Sequence, residues 1–538
     1  MRYFYLCIFL ILLVPTIVFG TEQEPDTLLY KSKSYDLHTN PLGAYFHKQG
    51  HGPEFDVERT NNWRGYIATW SIYKDHLYLI SIHASVAKKK FTLADLFPGA
   101  EKSIKAVWYS GTLILPQGKI ISFRHQGNKS IYEKELQIKI KNGRVIEEKI
   151  IKNSSVLVPF RDKESSGLTM EIQNDGKLIV AGKTKLKTDQ QAFVARLNPD
   201  GAIDREFSNN GMLTMSFPKR SNFFDIALQE DGNILAVGTH SKEKYQHALI
   251  VIRTDSKGKL DTSFGKNGIV QYQGDNSTLD VGLSCNVQKD GKIVIAGWTI
   301  QDELHKLKIL RFHVNGELDN TFGSHGQIIF SRGKDDYAAS LTLQKDNKIL
   351  VAGRSNNGEN IDGMILRYMP DGKPDLEFGD NGIVILDDGA DEQLNDIIGL
   401  SNGSIMAVGQ KEQDKSSRLI LVRLNASGKF DNSFGKNGFL LPNLNASRIQ
   451  GQILRVVNGE FICVAGSIST KYYIDALFLK FDIKGTLLKK WTLSQTRKIN
   501  QTGIALATGL VVTKDLKLYI SGWYTKYNRT KLFLAQPE

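Results

Sequence analysis

Cysteine is nearly absent: the 538 residues contain three. Cys7 falls inside an apolar leader, while Cys285 and Cys463 stand in separate repeats too far apart in phase to bridge, so no disulfide framework staples this chain. Burial must hold it together. A second long apolar run is missing after the leader, and from Ser154 onward no stretch carries a helical period, which excludes a polytopic membrane protein and a helical array. The Gly-x-Ser-x-Gly elbow, the His-Glu-x-x-His pair and the phosphate-binding glycine loop are absent too. No cofactor is expected, and no catalytic residue can be named.

What is present begins with the leader. Met1 to Gly20 reads as one Arg, an apolar run and small residues before Thr21, the pattern of an export signal cut after Gly20. A secreted, periplasmic or cell-surface protein is expected, with no membrane span once the signal is removed. Apolar residues at 41% and charged residues at 23% place the rest among globular chains. The net charge is +12, but its longest basic run is Lys88-Lys89-Lys90, so the excess reads as a basic solvated surface and not as a nucleic-acid footprint.

The chain then repeats itself. Gln173 to Gly182, Gln229 to Gly238, Gln288 to Gly297, Gln344 to Gly353, Leu400 to Gly409, Val457 to Gly466 and Thr513 to Gly522 are variants of one segment, and their closing glycines step by 56, 59, 56, 56, 57 and 56 residues. A second signature keeps the beat: Asp204 to Phe207, Asp261 to Phe264, Asp319 to Phe322, Asp375 to Phe378 and Asp431 to Phe434, each before a glycine turn. Between the two lies a strand ending in Arg196, Arg253, Arg311, Arg367, Arg423 or, in the sixth repeat, Lys480. Short Ile/Val/Leu runs bounded by Asp-Gly and Asn-Gly turns are β-strands by length and pattern. Four per unit, as at Ala338 to Gln344, Lys348 to Gly353, Gly363 to Met369 and Gly382 to Leu386, make an antiparallel meander.

The expected fold is all-β: a seven-bladed β-propeller of four-stranded repeats over residues 154–538, preceded by a small β-rich domain over 21–153. The seventh repeat ends after its third strand, so Val156 to Phe160, within a closing segment 154–160, is expected to complete the last blade and leave no sheet edge. Gln117 to Phe123 faintly echoes the blade signature; an extra, degenerate blade is the other reading of that region.

Asp175-Gly176-Lys177, Arg196-Leu197-Asn198-Pro199-Asp200-Gly201 and Leu260-Asp261-Thr262-Ser263-Phe264-Gly265 together resemble the delta-60 repeat of bacterial exported and surface proteins. The resemblance spans about 380 residues, implies the propeller scaffold, implies no shared reaction, and is weakest in the sixth and seventh units.

Candidate sites follow from the scaffold. The recurrent aspartates read as turn-closing Asx residues, not calcium ligands, and the recurrent phenylalanines as packing residues. His47 and His51 with Glu54 or Asp56 have metal-ligand chemistry, but Gly50, Gly52 and Pro53 speak against a helix presenting both rings, so no metal site is assigned. Constant turns should occupy one face and variable loops the other, and variable loops on a rigid frame carry binding. Trp298, Tyr472, Tyr473, Trp523, Tyr524 and Tyr527 are the expected contact residues for a protein or polysaccharide, with a monomer as the expected state. The alternative function is a glycan hydrolase or lyase with its site in the central channel.

Overall fold

A computed structural model describes residues 24–537 except 58–61, 101, 123–130, 153–163, 187–188, 218, 244–245, 275–278, 414–415, 470–472, 496–503 and 527–528. By contacts the chain divides into two compact units, 1–155 and 156–538. The leader, the strand expected at Val156 to Phe160, Tyr472 and Tyr527 lie outside the described residues.

In the first unit, one sheet runs in the order Lys33–Leu37, Asp26–Tyr30, Tyr66–Tyr73, His76–Val86, Arg144–Lys152, Ile131–Lys141, Gly111–Ser122. Its two ends meet, and His38 N donates to Ile114 O at 3.0 Å. Trp70 is fully buried inside, its indole N–H donating to Asp26 at 3.1 Å, where Arg64 also pairs at 3.1 Å. Gln117 belongs to a strand of this sheet, paired with Ile131–Lys141. Two short helices depart from expectation, Leu93–Leu96 and Pro41–Gln49, and the second makes His47 helical. Its signals stand in the sequence, with Asn40 capping the Gly43 N–H, Pro41 at the first position and Gly50 left-handed at the end. Among the described residues no cluster of His, Cys, Asp and Glu is arranged to hold a metal, and no helix is long and apolar enough to cross a membrane.

The second unit is a repeated four-stranded antiparallel sheet. Its inner strands are Ser165–Ile172, Ser221–Leu228, Leu279–Val287, Asp335–Leu343, Asp391–Gly399, Arg448–Val457 and Ala505–Val512. Each lies against the next, and the last lies against the first. Thr508 Oγ1 donates to Gly167 O at 2.7 Å and Tyr519 OH to Pro199 O at 2.6 Å, while Val511, Tyr519, Leu532 and Leu534 share a core with Met170, Val180 and Phe193. The first and last repeats are thus packed as neighbours.

Every inner strand carries a β-bulge at the same place, at Thr169, Asp225, Ser284, Ser340, Asp396, Ile453 and Gly509. The bulge explains the signature glycine. A Cβ on Gly182, Gly238, Gly297, Gly353, Gly409, Gly466 or Gly522 would stand 1.9 to 2.0 Å from the carbonyl oxygen of the facing strand. No side chain fits there.

The second and third strands run past those glycines and are longer than expected. In the third repeat Ile293–Gln301 and Leu304–Phe312 meet at Asp302-Glu303, whose φ values of 55° and 63° make a tight primed turn. Consequently Trp298, Trp523 and Tyr524 lie on strands, not in variable loops, because the hairpin extends where a loop was expected. Tyr524 is buried in the core between the sixth and seventh repeats, beside Phe478 and Trp491.

Candidate channel site

The site is built by the bulges. In each inner strand the extra residue breaks the alternation and re-aims the chain, so side chains from all seven inner strands collect around one cavity of about 1030 Å³. Leu168, Phe224, Leu283, Ala339, Asn395, Gln452 and Thr508, the middle residues of the bulges, all line it. So do Glu171, Asn286, Thr342 and Arg455, two positions beyond the bulge residue, and the turn residues Asp175, Glu230 and Ser256. The cavity therefore extends toward the constant turns, not toward the variable end where binding was expected.

Two carboxylates act as ties between repeats. Asp225 accepts from the N–H groups of Ile226 and of Cys285 in the next repeat, both at 2.9 Å, and from Ser284 Oγ at 2.9 Å and Thr169 Oγ1 at 3.3 Å. Asp396 accepts from Ile397 N at 3.0 Å, Leu454 N at 2.8 Å, Ser340 Oγ at 2.7 Å and Arg455 Nη1 at 3.2 Å. Four bonds fill the acceptor capacity of a carboxylate, so both are committed. Glu171 is different: its ion-pair partner is Arg455, reaching from the sixth repeat to 3.7 Å, and a third of its side chain stays accessible. Burial raises its carboxyl above the usual range; Arg455 opposes the rise, and Asp225 and Asp396 add to it. Burial raises the Asp225 carboxyl as well, against its backbone hydrogen bonds.

The constant turns carry a second device. Arg196, Arg253, Arg311, Arg367 and Arg423 pair through Nε with Asp204, Asp261, Asp319, Asp375 and Asp431 at 2.7 to 2.8 Å. Each guanidinium lies 4.3 to 5.1 Å from the centre of the following Phe ring. Each also donates through Nη1 to a carbonyl one repeat on, at Ser256, Val314, Pro370, Ala426 and Ile483. The aspartates close Asx turns as expected, Asp261 Oδ1 accepting from Ser263 N at 3.0 Å, and they also anchor these rivets, which the turn reading missed. In the sixth repeat Lys480 sits over Phe461 instead, 3.8 Å from its centre.

Of the expected contact residues, Trp298 is half-buried in a cluster with His305 and Tyr337, at 5.1 and 5.6 Å between ring centres. Tyr473 lines a separate polar cavity with Asn445, Asp475 and Lys490. Trp523 is half-buried. They do not converge with the channel groups. Cys285 and Cys463 are buried and unbridged; burial raises the thiol of the first well above its usual range and that of the second to about 11, the state of inert packing thiols.

A family model described as a domain of unknown function (DUF5122) beta-propeller matches residues 173–207, 229–264, 288–322, 344–378 and 400–434. These are β-propeller repeats. Each match ends at the riveting Phe, so the five matches are the five repeats that carry the Arg-Asp-Phe device. Comparison with curated proteins found no match. Among solved structures the chain is similar to YCF48 bound to D1 peptide, with 10% identity, a TM-score of 0.43, and coverage of 72% of this chain and 96% of that one. It is also similar to the polysaccharide lyase Uly1, at 12% identity and a TM-score of 0.41 over 69% and 89% of the two chains. A third likeness is to the extracellular domains 1-2 of Drosophila Semaphorin 1b, at 9% identity and a TM-score of 0.38 over 72% and 87%. At such scores none of the three bears on ligand or activity.

Proposed function

We propose that the protein is an exported, seven-bladed β-propeller of the delta-60 kind, preceded by a separate β-domain, that binds a protein or polysaccharide at the cell surface without transforming it. The seven inner strands and the contact between the last and the first support the blade count. The leader Met1 to Gly20 supports export.

One observation carries the binding reading: of the inner-strand carboxylates of the cavity, Asp225 and Asp396 fill their acceptor capacity within the fold, whereas Glu171, paired with Arg455 at 3.7 Å, keeps a third of its side chain accessible to a ligand. Glycoside hydrolysis by the common two-carboxylate route needs a second uncommitted carboxyl, and the other lining carboxylates, Asp175 and Glu230, belong to the turns and not to the inner strands. The alternative, a glycan hydrolase or lyase, rests on Glu171 itself, whose raised carboxyl has the character of a general acid.

The test uses the mature chain on glycan and peptide arrays, followed by product analysis and by Ala339→Trp, which fills the cavity from its wall. A ligand retained intact, with affinity at least about tenfold lower in the variant, is the expected result. Turnover of any glycan would overturn the binding reading. Binding indifferent to Ala339→Trp would move the site to the far end, where Trp298 and Trp523 become the residues to replace.

A further inference from the structure

The charge of the cavity runs against that of the molecule. The chain carries +12, yet among the described residues the cavity is lined by Glu171, Asp175, Asp225, Glu230 and Asp396 against a single cation, Arg455. A concave surface of one sign focuses its field and concentrates counter-ions of the other. Arg455 offsets one of these charges, held by Asp396 at 3.2 Å and by Leu454 O at 2.8 Å, and the carboxylates remain in excess.

The shape adds a second constraint. About 1030 Å³ is far more than a bare ion needs and suits an organic group. Its lining is two-sided: the bulges of the first four repeats contribute Leu168, Phe224, Leu283 and Ala339, and those of the last three Asn395, Gln452 and Thr508. An apolar stem can lie on one side while a charged end meets Glu171.

We infer that this cavity is a receptor for an amine or guanidinium carried on a short organic stem, and that Glu171 is the residue that binds its charge. The inference rests on the channel being the ligand site of the propeller. Glu171 suits the role where its inner-strand neighbours do not: Asp225 and Asp396 are saturated, whereas Glu171, with a backbone hydrogen bond from Ile172 and a long pair to Arg455 at 3.7 Å, keeps a third of its side chain accessible. Burial keeps the Glu171 carboxyl above its usual range, with Asp225 and Asp396 raising it further and Arg455 lowering it. A bound cation favours the ionised form, so affinity rises with pH as Glu171 loses its proton and then levels off.

Lysine side chains and amino sugars both offer this chemistry, and the experiment separates them. Titrate the mature protein with Nα-acetyl-lysine methylamide and with glucosamine, each against its N-acetylated, uncharged counterpart, by calorimetry at pH 7.5. One free amine should bind with a Kd below about 1 mM and its acetylated form at least tenfold more weakly. Glu171→Gln should lower that affinity at least tenfold with the melting temperature kept. Asn286→Asp, which adds a carboxylate at the equivalent place in the third repeat, should raise it. Equal binding of free and acetylated forms, no binding of either amine at 10-fold the expected Kd, or Glu171→Gln behaving as the parent would each overturn the inference. If the amines fail while Ala339→Trp still abolishes capture of the macromolecular ligand, the cation reading falls and the channel reading stands.

Discussion

The first five repeats and the last two use the same backbone with different chemistry. Repeats one to five are riveted by Arg, Asp and Phe and carry Thr169, Asp225, Ser284, Ser340 and Asp396 at the bulge. Repeats six and seven place Ile453 and Gly509 there and are held by a large aromatic core of Phe478, Trp491, Tyr524 and Phe533, the sixth having the strand Leu487–Thr492 in place of the Asp-Phe signature. The irregular part also supplies Arg455, the one cation lining the channel among the described residues, and Tyr473 and Asp475 of the second cavity. Regularity here serves the frame. Departure from it is where a repeat protein places groups that face a ligand, since a residue kept in every repeat is kept for packing.

The largest expected effect tests what the two regions share. Gly297→Ala in a regular repeat and Gly466→Ala in an irregular one both drive a Cβ to 1.9 Å from a carbonyl oxygen. Each should cost on the order of 3–5 kcal/mol, read from urea unfolding followed by circular dichroism. If Gly466→Ala were tolerated and Gly297→Ala were not, the bulge would belong to the regular repeats alone.

The next effect separates the regions. Arg367→Met leaves Asp375 buried with only Lys348, at 2.9 Å, to offset its charge. Removing one partner of a buried pair costs about 3 kcal/mol. Lys480→Met removes only a cation over Phe461 and should cost about 1 kcal/mol. Equal losses in unfolding midpoint would show that the rivet is not what distinguishes the two regions.

Glycines, strand count and turn aspartates were legible in the sequence because each is local: a period, a two-residue turn, a length. The rivet was half legible. Arg311 and Asp319 could be seen to recur, but their pairing depends on a turn that folds Asp319 back beside the strand end. The channel was expected as the alternative site, but its residues were not legible, since Glu171, Asp225, Asp396 and Arg455 come from four strands and meet only because a bulge shifts each strand's alternation. Tyr524 was misplaced for a related reason: with the hairpin extended, its parity on the strand sends it inward, beside Trp523 turned the other way.

Acid should unfold the riveted repeats first. Burial pushes the carboxyls of Asp204, Asp319 and Asp375 up, but hydrogen bonds and the neighbouring cations outweigh it; hydroxyl bonds from Ser263 and Ser433 lead for Asp261 and Asp431. All five lie below the ordinary carboxylate range. A depressed folded-state pKa contributes stability in full above the unfolded value, near 4, and loses it as pH falls through the folded value. Stability measured from pH 5 down to pH 2 should therefore fall, and Asp319→Asn should flatten that limb while lowering stability at pH 7. An unchanged limb would remove Asp319 from the acid response.

The smallest effect is the most direct on relative stability, because each region holds one buried thiol. Cys285 lies on the inner strand of the third repeat and Cys463 on the second strand of the sixth. Neither reacts while folded, so labelling of the chain from residue 21 onward by a disulfide reagent reports local opening. Once open, both thiols return to the same ordinary pKa, and the ratio of their rates measures the difference in opening free energy alone. Without rivets the sixth repeat should open more readily. In single-thiol variants, Cys463 should label about tenfold faster than Cys285, corresponding to about 1.4 kcal/mol, when closing is fast relative to labelling. Faster labelling of Cys285 would mean that the aromatic core of the irregular repeats holds better than five rivets, and the stable part of the ring would be the part that also carries Arg455.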